Sequence, residues 1–182
     1  MSKIATVLGS PRRNGNSERM AAAFAKGAAE SGHAVQTLRA HGLKIGGCID
    51  CRRCWTNGGH CFLHDDMPDV YRAMDGADVF VFAVPLYFYS WPAQVKTVLD
   101  RLLPYYMPDS KVDLRGRRAA LLAAAGDESD SCFDGLRKSF ELSCAFCQWE
   151  IVGEICAYGV HAAGDVASGD WLARAEALGR SL

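Results

Sequence analysis

The segment "ADVFVFAV", residues 77–84, is apolar at nearly every position, so both faces of the extended chain would be apolar. A half-exposed strand alternates polar and apolar side chains, whereas a run apolar on both sides predicts an interior strand of a parallel sheet covered above and below. "RAALLAAAG" (118–126) has the same character, and "IATVLG" (4–9) reads as a buried strand running into a glycine turn. "AVQTL" (34–38) and a stretch near 149–158 supply two further strands. Between them lie segments of helical period. Residues 16–31 set Met20, Phe24, Gly27 and Ala28 on one face, with Gly32 as the stop. "DDMP" (65–68) starts a second helix, and capping rather than acid–base catalysis is the expected role of Asp65 and Asp66. A third helix begins near Pro92 and buries Val95, Val98, Leu99 and Leu102. Others span about 131–147 and 168–180. Strand–helix alternation repeated five times predicts a parallel sheet with helices on both faces, and right-handed crossovers make it doubly wound.

A chain of 182 residues with 49% hydrophobic residues can bury a core without metals or disulfides. The expectation is a single domain over 1–182, with a cysteine-rich loop insertion at about 39–66. A net charge of -1 offers no basic surface for nucleic acid, and no apolar run is long enough for a membrane span. "MSKIATVLGS" has no signal-peptide pattern, so a cytoplasmic location and reduced cysteines are expected.

"GSPRRNGNS" (9–17) joins the first strand to the first helix, at the carboxyl edge where doubly wound sheets bind ligands. Its backbone N–H groups, the helix end, Ser10, Asn16, Ser17 and the cationic Arg12 suit a phosphate. The glycines are one residue too far apart for a P-loop, and Asn16 stands where the lysine belongs, which excludes an NTPase. No G-x-G-x-x-G dinucleotide fingerprint occurs. An ordinary turn capped by Asn16 or Ser17 is the plain alternative. "PLYFYSWP" (85–92) follows the most buried strand, and its three aromatics plus Trp91 predict a flat apolar surface beside the phosphate loop. A planar heterocycle with a phosphate tail would fit both loops, and a subunit interface would use the same aromatics.

With "GSPRRNGNS", "PLYFYSWPAQVKTVLDR" and "AAAGDE" in this order, the chain resembles the NADPH-dependent FMN reductase group of flavodoxin-like proteins. The resemblance implies a flavodoxin-like three-layer sandwich, its five-stranded parallel sheet ordered 2-1-3-4-5 with helices on both faces and FMN at the switch point. It implies that Ser10, Arg12, Asn16 and Ser17 bind the FMN phosphate. Pro85, Leu86, Tyr87 and Phe88 would border the isoalloxazine ring, and Gly126 and Asp127 would close its other side. The chemistry would sit at the flavin N5, so no catalytic side chain is named. NAD(P)H is the implied electron donor, and a homodimer or homotetramer the implied assembly.

"GCIDCRRCWTNGGHC" (47–61) carries Cys48, Cys51, Cys54 and Cys61. Cys-x2-Cys-x2-Cys is the core of cubane iron–sulfur ligation, and four thiolates with His60 and His64 nearby also admit zinc. Iron–sulfur flavoproteins, which belong to the same group, resemble this chain in a compact four-cysteine motif after the second strand. The resemblance implies a [4Fe–4S] cluster on these four residues, with Arg52 and Arg53 offsetting its charge. Flavin reductases carrying such cysteines without a demonstrated cluster leave the metal-free loop open. Cys144 and Cys147 continue the apolar face of their helix, Cys132 and Cys156 are isolated, and all four are expected to pack as small hydrophobes. His33, His41 and His161 have no partner spacing. The implied function is an FMN-dependent oxidoreductase of iron–sulfur flavoprotein type, exchanging electrons with a small molecule or ferredoxin. The alternatives are an NAD(P)H-dependent FMN or quinone reductase without a cluster and a non-enzymatic flavodoxin-like carrier.

Overall fold

The central strand β3 (Val79–Pro85) splits its side chains between two cores, as its two-sided apolarity requires. Phe80, Phe82 and Val84 enter one cluster, while Val79, Val81 and Ala83 enter the other. The computed structural model describes residues 1–56, 61–108 and 110–182. β3 lies between β1 (Lys3–Leu8) and β4 (Arg118–Ala124); β2 (Ala34–Arg39) and β5 (Glu150–Ala157) form the edges. All pairings are parallel, in the order β2-β1-β3-β4-β5. This is the expected doubly wound sheet.

Helices α1 (Asn16–Glu30) and α5 (Trp171–Arg180) cover one face. They pack at close backbone distance: a Cβ at Gly27 would lie 1.9 Å from the Glu176 carbonyl oxygen, and one at Gly179 2.1 Å from that of Phe24. Helices α2 (Met67–Asp75), α3 (Ala93–Asp100) and α4 (Asp134–Cys147) cover the other face. Met20, Phe24, Gly27 and Ala28 are buried as the period predicts, and Gly32 ends the first turn beyond α1 at φ +79°. Cys132, Cys144, Cys147 and Cys156 are buried among apolar neighbours, as expected of packing residues.

The Asp pair caps α2 as expected, with the roles divided: Asp66 occupies the N-cap position without a side-chain bond, and the Met67 N–H donates to the Asp65 carboxylate, 3.1 Å away. One sequence expectation needs correction. Trp91 does not join a surface at the ligand edge. It is 6% exposed, packs edge-on against Phe82 and Phe140, and donates its indole N–H to Ser139 at 2.9 Å. The turn at 87–90 directs Trp91 into the core just before α3, where a large apolar ring buries more area than it could at the rim. No helix is long and apolar enough to cross a membrane among the described residues.

Candidate functional site

Parallel strands end on one edge, so the loops after β1, β3, β4 and β5 meet above the β1–β3 switch point. There they enclose a pocket of about 700 Å³, counting space open to solvent. Ser10, Arg12, Gly15, Asn16 and Ser17 line it from the first loop, Pro85, Leu86 and Tyr87 from the third, Gly126 from the fourth, and Val160, His161 and Ala163 from the fifth. Phe88 and Asp127 line an adjoining recess with Leu86 and Gly126. The ten residues expected around a flavin therefore gather at one edge, although their roles differ in kind.

Helix α1 starts after Gly15 with no side-chain cap, so the N–H groups of its first turn open into the pocket. Ser10 and Ser17 are buried beneath it, and the Ser10 hydroxyl accepts the Arg12 N–H at 3.1 Å to shape the turn. Arg12 is exposed and free to swing over a bound anion. Asn16 is occupied elsewhere. Its amide nitrogen donates to the carbonyls of Val160 (3.2 Å) and Ala162 (2.9 Å), and its oxygen accepts from the N–H groups of Gly164 (2.9 Å) and Val166 (3.3 Å). It thus fastens the fifth loop to α1, and its side-chain amide is engaged there rather than offered to a ligand.

On the opposite wall, Tyr87 and Ser90 close a two-residue turn through reciprocal backbone bonds of 3.3 and 3.0 Å. Its central residues, Phe88 and Tyr89, have φ of +46° and +58°. Such turns favour Asn and Gly, so an aromatic pair there is strained by roughly 1–2 kcal/mol per residue. The result is a Phe88 ring 99% exposed at the pocket rim. Gly135 makes room for the turn, since a Cβ there would lie 2.8 Å from the Tyr89 carbonyl oxygen. Backbone strain and solvent-facing aromatics concentrated at one turn are a signature of function. Behind the pocket, Asp127 spends its carboxylate on the Ser129 N–H (3.0 Å), while its carbonyl accepts the Gly159 N–H at 2.6 Å.

His161, unremarkable in the sequence, lies against Gly126, where a Cβ would stand 2.6 Å from its Nδ1. Its Nε2 is 3.3 Å from Glu128. No local spacing announces this contact, because 126, 128 and 161 meet only through the pairing of β4 with β5.

The four cysteines of the long loop line one smaller pocket together with Arg52, Phe62 and Arg101. Asp50 and Arg52 flank Cys51 at φ of +46° and +56°, which curls the loop around the thiols. Arg52 and Arg53 are exposed; Arg52 lies over Trp55 and pairs with Asp50 at 3.3 Å, and Arg53 lies over Phe62. The four thiols share the pocket without converging: no three Cys, His, Asp or Glu groups among the described residues stand close enough to hold one metal ion. Burial, together with the neighbouring Cys61, pushes the Cys54 thiol above its usual pKa. The "NGG" turn and His60 lie outside the described residues.

Arg101, just past α3, anchors this loop and was not foreseen. It is 1% exposed, donates to the Gly46 carbonyl (2.8 Å), and forms a two-pronged pair with Asp65 (2.7 and 3.1 Å). Asp65 also accepts the Gly46 N–H at 3.0 Å. Burial opposes ionisation of Asp65, but its bonds to Arg101, Met67 and Gly46 outweigh that and hold its carboxyl below the ordinary range.

The sequence profile of the NADPH-dependent FMN reductase family matches residues 2–147. The chain belongs to this family. Among curated relatives, an iron–sulfur flavoprotein of Archaeoglobus fulgidus is 37% identical over 103 residues, 57% of this chain and 46% of the relative. One from Methanocaldococcus jannaschii is 31% identical over 129 residues, 70% of this chain and 63% of the relative. The chain thus matches about half to under two thirds of the length of these relatives. Among solved structures, a NAD(P)H:quinone oxidoreductase from Methanothermobacter marburgensis superposes with a TM-score of 0.79 at 21% identity, covering 99% of this chain and 96% of that one. The family is one of flavin-dependent oxidoreductases, and the larger pocket fits its cofactor. That pocket combines an uncapped helix end, two buried serines and an exposed arginine on one side with Pro85, Leu86 and Gly126 on the other, a donor set suited to a phosphate beside an apolar wall suited to a flat ring.

Proposed function

We propose that this chain is an FMN-dependent oxidoreductase of the iron–sulfur flavoprotein type, with FMN in the larger pocket and a [4Fe–4S] cluster on Cys48, Cys51, Cys54 and Cys61. The observation that carries the flavin reading is the uncapped start of α1 facing the slot between Leu86 and Gly126. When bound, FMN supplies hydride and electron chemistry at its N5. The protein's part is binding, orientation and water exclusion. The first-turn N–H groups of α1, Ser10, Ser17 and Arg12 hold the phosphate. Asn16 keeps Val160 and His161 against the pocket, and the strained turn at 87–90 sets Phe88 as an apolar shelf over its mouth. His161 and Tyr87 are lining groups able to hand a proton to a reduced acceptor.

Support for the cluster comes from the four thiols sharing one pocket inside a curled loop, and from the iron–sulfur flavoproteins among the relatives. NAD(P)H or a protein such as ferredoxin would donate electrons, and a small molecule would accept them. Assembly as a homodimer or homotetramer belongs to the same proposal; Leu142 and Phe146, exposed on α4, support it. A second reading, an NAD(P)H-dependent reductase with no cluster, is favoured by the spacing of the thiols, which do not converge.

Anaerobic purification with assay of flavin, iron, sulfide and zinc tests both. Colourless protein that takes up no FMN would refute the flavin reading. FMN-loaded protein without iron or sulfide after anaerobic reconstitution would leave the second. Stopped-flow mixing with NADH and NADPH then reads the donor.

A further inference from the structure

The turn at 87–90 borders a second recess. Leu86, Phe88, Tyr89, Ala125, Gly126 and Asp127 line an open depression of about 560 Å³, counting space open to solvent. It shares Leu86, Ala125 and Gly126 with the larger pocket, so a molecule in it lies beside the flavin position. Phe88 and Tyr89 are held there in the left-handed region, at φ of +46° and +58°. Burial offsets none of that strain, since Phe88 is 99% and Tyr89 62% exposed. The turn is nevertheless seated: backbone bonds close it, and Gly135 leaves room for the Tyr89 carbonyl. Strain kept in a fixed turn for two rings that bury nothing in their own chain points to a bound molecule.

The lining says what kind. Leu86 and Ala125 are apolar, and among the described residues that line the recess none is cationic. Asp127 is its charged group, with the carboxylate accepting the Ser129 N–H at 3.0 Å. An anion meets repulsion there and no counter-charge, whereas an uncharged flat ring meets two exposed aromatic rings.

We propose that this recess is the acceptor subsite, taking an uncharged planar aromatic acceptor of the quinone class, with Phe88 and Tyr89 as its stacking and specificity-determining residues. The acceptor's place beside the cofactor rests on the flavin reading; binding in the recess does not. The quinone takes two electrons from the reduced cofactor and two protons from cofactor and water, and leaves as the hydroquinone. The Tyr89 hydroxyl is the side-chain donor among the lining residues that a quinone oxygen can use.

The probe is duroquinone, whose fully methylated ring adds no cysteine thiol. Equilibrium dialysis measures its affinity for oxidised, FMN-loaded wild type, Phe88→Leu, Tyr89→Leu and Phe88→Tyr, and fluorescence titration measures FMN affinity. Stopped flow then follows reoxidation of photoreduced protein by duroquinone and by ferricyanide, a compact anion that needs no stacking surface. Phe88→Leu and Tyr89→Leu should each weaken duroquinone binding about fivefold, with FMN affinity and the ferricyanide rate unchanged. Phe88→Tyr keeps a ring and should restore wild-type affinity. Unchanged duroquinone affinity in both leucine variants overturns the inference, as does a ferricyanide rate lowered as far as the duroquinone rate. Leucine variants that dissociate a wild-type dimer yet bind duroquinone as tightly as wild type also overturn it, because the rings would then be a subunit contact. Wild type that takes up no FMN refutes the flavin reading, and dialysis of the FMN-free proteins then decides the recess. Duroquinone binding that weakens in the leucine variants supports it, and absence of binding overturns it.

Discussion

Replacing Asn16 by alanine deletes the clamp between α1 and the loop after β5. Four hydrogen bonds disappear at once: two donated to Val160 and Ala162, two accepted from Gly164 and Val166. A neutral bond contributes a net 0.5–1.5 kcal/mol, and one of the four is exposed, so the loss is about 2–4 kcal/mol. For a chain of this size each kcal/mol moves Tm by roughly 2–4 °C, which gives a fall of about 4–16 °C in FMN-free protein. Because Val160, His161 and Ala163 line the pocket, FMN affinity should fall with it. Asn16→Asp is the sharper probe. It keeps the acceptor but turns a negative charge toward two carbonyls, so it should destabilise at neutral pH and partly recover in acid, as the carboxyl protonates and regains a donor. Thermal unfolding of FMN-free protein and fluorescence titration with FMN measure both effects. If Asn16→Ala weakens FMN binding while leaving the FMN-free Tm unchanged, the side chain contacts the phosphate directly and the clamp reasoning is wrong.

Gly179→Ala should cost about 3 kcal/mol or more in urea unfolding, because the new methyl would lie 2.1 Å from the Phe24 carbonyl and force α1 from α5. Phe88→Gly should raise Tm slightly, relieving about 1 kcal/mol of left-handed strain, while raising KM for an aromatic acceptor; a lowered Tm would show that the ring is needed for folding. The Asp65 carboxyl is held below its unfolded pKa of about 3.9, so its contribution is complete above that pH and is lost as pH falls through the folded value. Stability should therefore decline more steeply below pH 4 in wild type than in Asp65→Asn, and Asp65→Asn should be less stable at pH 7 by about 3–5 kcal/mol for leaving Arg101 buried without its anion. Parallel pH curves for the two proteins would refute this.

The sheet was legible because its evidence is local. Apolarity on both faces of 79–84 and 118–124 can be satisfied only between two helical layers, and the strand–helix alternation then leaves few topologies. The phosphate loop and the cysteine spacing were equally visible, being contiguous in sequence. Other features depend on contacts far apart in the chain. Trp91 looked like part of the ligand surface until the turn at 87–90 sent it inward, and that turn carries no Asn or Gly to announce it. Asn16 looked like a cap or phosphate ligand, yet its partners lie about 145 residues away.

By itself, the sequence determined a doubly wound domain with a donor-rich first loop, an aromatic third loop and four clustered thiols. Only the tertiary structure decided what each side chain does there. Arg101 reaches Gly46 and Asp65 across 55 and 36 residues, and His161 rests on Gly126 across the β4–β5 pairing. Periodicity encodes which face of an element is buried. The partner of a buried polar group is fixed by which elements the fold brings together, and no local pattern records it.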